Sequence, residues 1–303
     1  MSIESAPTVA PVRREGWPRA RRALMFVLSM ALVATLWEAY KWLGPKNGGE
    51  IFGWKVLPRS KDSLMPHVSD VLSRLTDPIN PQTDELVLTG VLKAVWYSFQ
   101  LVLVGFGLGL AAGLLLAVLM TRFRLAERAI LPYLVVSQTV PLIALAPLLS
   151  TWSGKVEIAG WEWPQWLTAA MLGAFLTFFP IAVGTLRGLK SPPPAALELM
   201  DSFAAPWRST LFKLRFPAAV PFIVPALKLG AAGSVIGVVV SEISIGLRGG
   251  IGRLVIENMR KSNDPPIVYT AVLGAALLGL AMAALVALAD ALFMRNRPKE
   301  AVA

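Results

Sequence analysis

Few residues in this chain of 303 could carry out covalent chemistry. It has one histidine, His67, and no cysteine, so thiolate catalysis and a disulfide framework are excluded. His67 lies in a polar stretch without the serine and carboxylate partners of a nucleophilic triad. No glycine-rich run ends in Gly-Lys-Ser or Gly-Lys-Thr, so ATP is not expected to bind by that route. The carboxylates do not cluster tightly, and neither a metal nor a cofactor is expected. What stands out instead is polarity inside apolar surroundings. Glu38, Lys228, Glu242 and Asp290 lie in or near long apolar runs, and Ser137-Gln138-Thr139 lies between Pro132 and Pro141. A charge near a bilayer centre costs roughly 2.5–3.5 kcal/mol on insertion scales. A proline frees backbone carbonyls that the bundle or cavity water must satisfy. Ser137, Gln138 and Thr139 are therefore candidates to line a pathway, with helix–helix packing as the competing role. Ser241 and Glu242 are further candidates to line it, Glu242 at its outer gate, with an interfacial, solvated carboxylate as the alternative for Glu242. Lys228 is expected to snorkel toward the cytoplasmic face.

The elements that must position these groups are long apolar helices. The chain is 55% hydrophobic and 16% charged, with a mean hydropathy of +0.60, whereas a soluble domain carries about a quarter charged residues. A bilayer-spanning helix needs roughly 20 mostly apolar residues. Six stretches meet that length, at about 23–43, 90–120, 130–152, 165–188, 218–242 and 267–293. The fold class is thus all-α, a polytopic helical membrane protein with six transmembrane helices. Five arginines precede the first run, which reads as a retained span because Trp37-Glu38-Ala39-Tyr40 follows it rather than a small-residue cleavage site. Ser69–Leu75 is expected to form a short amphipathic helix.

The formal charge of +10 and pI near 10.1 are explained by basic residues flanking these spans, not by nucleic-acid binding. Arg122, Arg124 and Arg128 follow the second span, and Arg187, Lys190, Arg208, Lys213 and Arg215 surround the segment after the fourth. Arg295, Arg297 and Lys299 close the chain. Six spans put all of these, with both termini, on one side, and basic loops mark the cytoplasm. Small residues recur at four-residue spacing in Gly105-Gly109-Gly113, Gly233-Gly237-Ser241 and Ala271-Ala275-Gly279-Ala283, a pattern that lets helices pack closely in lipid.

The longest segment on the basic side, residues 189–217, reads as two short helices. Ser191 is the expected N-cap with Pro192 first in the helix. Ala195–Ala205 forms the first helix, Pro206 breaks it, and Trp207–Phe216 forms the second, ended by Pro217. Glu198 through Phe216-Pro217 resembles the cytoplasmic coupling motif of ABC importer permeases, which has an acidic start, a glycine six residues on and a Leu-Pro near its end. Glu198 and Pro217 fall at that spacing. Ala204 stands in place of the glycine, Phe216 in place of the leucine, and Leu199 and Met200 in place of two alanines.

The likeness extends over residues 23–295. Trp37-Glu38, Gln138-Thr139-Val140-Pro141-Leu142, Phe178-Phe179-Pro180 and the fifth span to Glu242 resemble the nitrate/sulfonate/taurine group, which includes permeases for thiamine-precursor pyrimidines and riboflavin. The resemblance implies a type I ABC importer permease-like fold in the bacterial inner (plasma) membrane. It implies a cytoplasmic tail over 1–22, a permease domain over 23–295 and a second tail over 296–303. It further implies a homodimer of permease chains, cytoplasmic ATP-binding subunits and an extracytoplasmic substrate-binding protein. Glu198, Asp201, Ala204, Ala205 and Pro217 would then couple the chain to its ATPase. The solute would be a small polar organic or anionic molecule, and the chain itself would not be an enzyme. The competing reading is an autonomous channel or ion-coupled secondary carrier, against which stands the lack of an internal inverted repeat.

Overall fold

The computed structural model describes residues 19–51, 54–80, 82–158, 160–260 and 264–294. The expected tails, residues 1–18 of the first and all of 296–303, lie outside them. The chain divides into two compact units, residues 1–69 and 70–303.

In the first unit, helix α1 spans Arg19–Leu43 and is followed by the antiparallel ribbon β1 (Gly49–Ile51) and β2 (Trp54–Leu57). The apolar side chains of α1 from Leu24 to Leu36 are exposed, as expected of a helix dissolved in lipid. Its far end is tied to the loop that follows. Trp37 Nε1 donates to Pro66 O at 3.0 Å, Tyr40 Oη to Pro58 O at 2.8 Å, and Val68 N–H to Glu38 Oε1 at 2.7 Å. Lys41, nearly buried, donates to Asp62 Oδ1 at 2.5 Å and to the Met65 carbonyl. That ammonium holds the Asp62 carboxyl below its ordinary value of 3.8. The pair is therefore complete above pH 3.8 and is lost as the pH falls through the depressed folded value.

The amphipathic helix expected at Ser69–Leu75 is α2, Val68–Arg74. The second unit continues with a ribbon, β3 (Pro78–Asn80) and β4 (Thr83–Leu86), and then α3, Val87–Arg122. At 1.5 Å per residue α3 is about 54 Å long, well beyond the ~30 Å hydrocarbon core, which is long enough to tilt or to project from the bilayer. After α3 come α4 (Arg124–Ser137) and α5 (Leu142–Ser153), a third ribbon of β5 (Glu157–Ile158) and β6 (Trp161–Glu162), and α6 (Gln165–Leu189). The segment after α6 contains α7 (Pro194–Ser202) and α8 (Trp207–Thr210). A π-helical turn, Leu211–Arg215, leads into α9, Phe216–Ile245. The chain ends with α10 (Ile251–Met259) and α11 (Pro265–Met294). Among the described residues, α1, α3, α6, α11 and the run Trp207–Ile245 are each long and apolar enough to cross a membrane. The pair α4–α5 reaches that length only with its two bent halves taken together.

Helix α6 is the centre of this unit and packs along both α3 and α9. The small-residue stripes are the reason. Gly105, Gly109 and Gly113 face Ala170, Thr177 and Ile181 in turn, so α3 and α6 run parallel. Gly237, Gly233, Gly230 and Ala226 face Leu172, Leu176, Thr177 and Gly184, so α9 runs antiparallel to α6. A Cβ on Gly237 would fall 2.5 Å from the Leu172 carbonyl oxygen; two of the stripes thus serve packing within the chain. In the third, Ala271 is buried while Gly279 faces open space. Polar side chains fasten the same seams. Ser234 Oγ donates to Val102 O at 2.9 Å, and Thr177 Oγ1 lies 2.9 Å from Gly230 O.

Three sequence expectations are corrected. The third span is not one straight helix: its two halves meet at 103°, broken over Gln138–Pro141. Pro217 does not end a short helix, because the chain runs as helix from Trp207 to Ile245. Pro217, Pro221 and Pro225 recur every four residues; the π turn just before Pro217 absorbs its missing donor and ring clash, and Pro221 and Pro225 lie inside α9. Finally, the N-cap of α7 is Pro193, with Pro194 first in the helix, not Ser191 and Pro192. Ser191 Oγ instead donates to Gly188 O at 2.8 Å and lies 3.4 Å from Ala218 O.

Candidate functional site

The polar residues singled out from sequence fall into three places. The first is α7. None of its residues is buried, and Glu198, Leu199, Asp201 and Phe203 are exposed, Phe203 at 76%. Leu199 and Phe203 are thus exposed beside the carboxylates Glu198 and Asp201. The helix ends in a Schellman motif: Ala204 N–H donates to Asp201 O at 2.9 Å and Ala205 N–H to Met200 O at 3.0 Å. That geometry requires a left-handed residue, and Ala204 has φ of 47°, the one positive φ outside glycine among the described residues. The glycine that the coupling motif would place here therefore has a physical reason. A left-handed alanine costs roughly 1–2 kcal/mol. Ala204→Gly is expected to slow hydrogen exchange of the Ala205 amide about fivefold, since about 1 kcal/mol of strain is relieved.

The roots of α7 are held tightly. Gly188 and Ala219 lie so close that a Cβ on Gly188 would be 2.8 Å from Ala219. Arg215 Nη1 donates to Leu189 O at 2.8 Å. Pro217 lies in this base, at the first turn of α9, and not on the exposed face with Glu198 and Asp201.

The second place is the break between α4 and α5. Ser137 Oγ donates to Leu134 O and Thr139 Oγ1 to Val136 O, both at 2.8 Å. These two hydroxyls satisfy carbonyls freed at the end of α4. Among the described residues Gln138, half-buried, reaches only Ser137 Oγ at 3.3 Å, which leaves most of its amide for another partner. Helix α5 begins at Leu142 with no side-chain cap. Discontinuous helices in lipid place exposed helix ends and polar groups where a solute can meet them.

The third place corrects the reading of Ser241 and Glu242. Both are 0% exposed. Glu242 is neither a solvated carboxylate nor exposed on a wall. Its Oε1 accepts from Ser98 Oγ of α3 at 2.6 Å, and its Oε2 from Gly252 N–H at 2.8 Å. Ser98 Oγ in turn accepts from Ile251 N–H at 2.9 Å. Glu242 and Ser98 therefore cap the first two amides of α10 and lock the end of α9 to α3. A Cβ on Gly250 would fall 2.3 Å from the carboxyl carbon, so the turn is built around the acid. Sequence reasoning missed Ser98 and α10. The available signal was the run Gly249-Gly250-Ile251-Gly252 soon after an intramembrane acid. Lys228 is also corrected: it does not snorkel alone but meets Asp290 Oδ2 of α11 at 2.9 Å.

Residues 109–299 match the family model described as "Binding-protein-dependent transport system inner membrane component". The chain is similar to the formylaminopyrimidine transport permease protein ThiX of Halalkalibacterium halodurans, 33% identical over 60% of this chain and 69% of that protein. It is 32% identical to the riboflavin transport system permease protein RibX of Chloroflexus aurantiacus, over 57% of this chain and 60% of that one. It is 26% identical to the putative aliphatic sulfonates transport permease protein SsuC of Bacillus subtilis, over 64% of this chain and 67% of that one.

Proposed function

Because the chain belongs to the family of inner-membrane components of binding-protein-dependent transport systems, we propose that α7 is the contact through which ATP-binding subunits drive it. The chain is a multi-pass permease subunit of such a system. The observation that carries the coupling reading is the exposure of Glu198, Leu199, Asp201 and Phe203 on a helix whose roots are fixed to α6 and α9. Leu199 and Phe203 enter an apolar cleft of the ATP-binding subunit, Glu198 and Asp201 meet basic groups at its rim, and the left-handed turn at Ala204 and Ala205 sets the exit angle. Hydrolysis takes place on that separate subunit. Movement of α7 shifts α6 and α9 as rigid bodies and changes access at Gln138, with Ser137 and Thr139 beside it on the pathway.

Residues 23–295 act in this reading as one permease domain, with both termini on the cytoplasmic side that carries α7. Two copies pair around the pathway, and an extracytoplasmic binding protein delivers the solute at the opposite end. The solute is a small polar organic molecule, closer to the formylaminopyrimidine and riboflavin named for two relatives than to a sulfonate. Affinity purification of the tagged chain from mild detergent tests the assembly. Two permease chains should co-purify with two ATP-binding subunits, and Phe203→Asp should release those subunits while the chain stays in the membrane. Undiminished co-purification of Phe203→Asp would remove α7 from the contact.

A further inference from the structure

A cavity of about 790 Å³ opens beside α7, where the end of α3 meets the start of α4. Its charged lining is lopsided: Arg124, Arg128, Lys190 and Arg215 face a single carboxylate, Glu127. Lys190 Nζ spends part of its charge on Glu127 Oε2 at 2.5 Å. The neighbouring Arg122 is directed elsewhere, its guanidinium 5.2 Å from the centre of the Trp207 ring. Arg215 uses Nη1 on the Leu189 carbonyl, while its Nε is buried without a hydrogen-bond partner. Helix α4 starts at this cavity with no side-chain cap on its first turn. The charged rim gives way to Leu131, Pro132 and Met120. Leu197 of α7 closes one side.

We propose that this cavity is a binding site for a phosphate group, supplied by the headgroup of an anionic phospholipid. Three features converge on a phosphate. Guanidinium groups bind its oxygens through paired N–H donors. The excess of three positive charges, with Arg124, Arg128 and Lys190 exposed to an incoming ligand, favours an anion of more than one accepting oxygen. An uncapped helix start adds amide donors and a partial positive charge. The apolar wall of Leu131, Pro132 and Met120 favours a lipid as the source, because an acyl chain can leave the headgroup along it. Basic pockets between membrane helices on the cytoplasmic side have this character. Leu197 ties the site to coupling: a bound headgroup would buttress α7 from behind while an ATP-binding subunit presses its exposed face. The inference rests on the importer reading only for which leaflet supplies the lipid.

The test uses the full chain, purified in mild detergent with whatever subunits accompany it, after exposure to vesicles of equimolar phosphatidylglycerol and phosphatidylethanolamine. Native mass spectrometry reads the lipid retained. The wild-type chain should keep phosphatidylglycerol in preference to phosphatidylethanolamine. Each basic residue contributes roughly a factor of five to holding an anionic headgroup, so Arg128→Gln with Lys190→Gln should lower retention about twenty-five-fold. The charge-keeping variant Arg128→Lys should retain most of it, which separates loss of charge from loss of fold. If phosphatidylglycerol is not preferred but inorganic phosphate binds the wild type and not the double variant, the site stands and its source is a free phosphate. Equal retention by wild type and a monodisperse double variant overturns the proposal. So does loss of the ATP-binding subunits from the double variant with lipid retention unchanged, which would make the cavity a protein contact. Because retention is read whether or not those subunits are present, this inference can fail while the importer reading holds.

Discussion

Glu198→Arg is expected to lower solute-stimulated ATP hydrolysis by the assembled transporter at least about tenfold, while the chain still inserts and folds. Glu198 is exposed in the middle of α7, where no neighbour in the chain is disturbed by the change. Setting a like charge against the basic groups of an interface costs several kcal/mol, and tenfold corresponds to about 1.4 kcal/mol. Reversal is more severe than removal, since it sets a cation against the basic groups that an acid would meet. Glu198→Gln should therefore fall between wild type and Glu198→Arg. The measurement is ATPase rate with and without loaded binding protein in proteoliposomes. Normal stimulation of Glu198→Arg would take this carboxylate out of the coupling contact.

Glu242→Ala is expected to destabilise the permease by about 3 kcal/mol, without touching α7. The carboxylate accepts from Ser98 Oγ and from Gly252 N–H in a wholly buried setting. An intramolecular hydrogen bond contributes roughly 0.5–1.5 kcal/mol net, and a buried donor left unpaired costs about 1–3 kcal/mol. Alanine also leaves a void where the turn Leu247–Gly250 wraps the acid. Ser98→Ala removes one bond to Glu242 and the partner of Ile251 N–H, and should cost less, about 1–2 kcal/mol. The two changes act on one network, so the double variant should lose less than the sum of the singles. Thermal unfolding in detergent, followed for all three variants, reads this order. A Glu242→Ala protein as stable as wild type would show that the carboxylate does not hold α10 in place.

Much of the architecture was legible because lipid simplifies the code. Apolar length alone located the spans, and the glycine stripes of the second and fifth marked the faces that meet α6. The segment from Glu198 to Pro217 was legible as a motif, and Ala204 shows why its departure matters: the turn keeps the left-handed geometry even though the residue does not suit it. Local breaks were harder. Pro132, Pro141 and Pro147 all lie in the third span, yet only the stretch around Gln138–Pro141 bends it sharply, because Pro132 and Pro147 are accommodated inside α4 and α5. Pro217 misled in the opposite sense, since a π turn carries the helix past it. Glu242 misled because hydropathy places a charged residue by depth alone. Its partners, Ser98 and Gly252, come from 144 residues before it and 10 after, and only the tertiary fold brings them together.

Coupling through α7 requires that the chain move solute only when ATP-binding subunits pull on that helix. Uptake of labelled riboflavin, formylaminopyrimidine and an alkanesulfonate into proteoliposomes tests this directly, with the chain alone and with its ATP-binding and solute-binding partners. Uptake of one of them that requires ATP and all partners, and is abolished by Glu198→Arg, is the result predicted; comparable flux through the chain alone without ATP would contradict it.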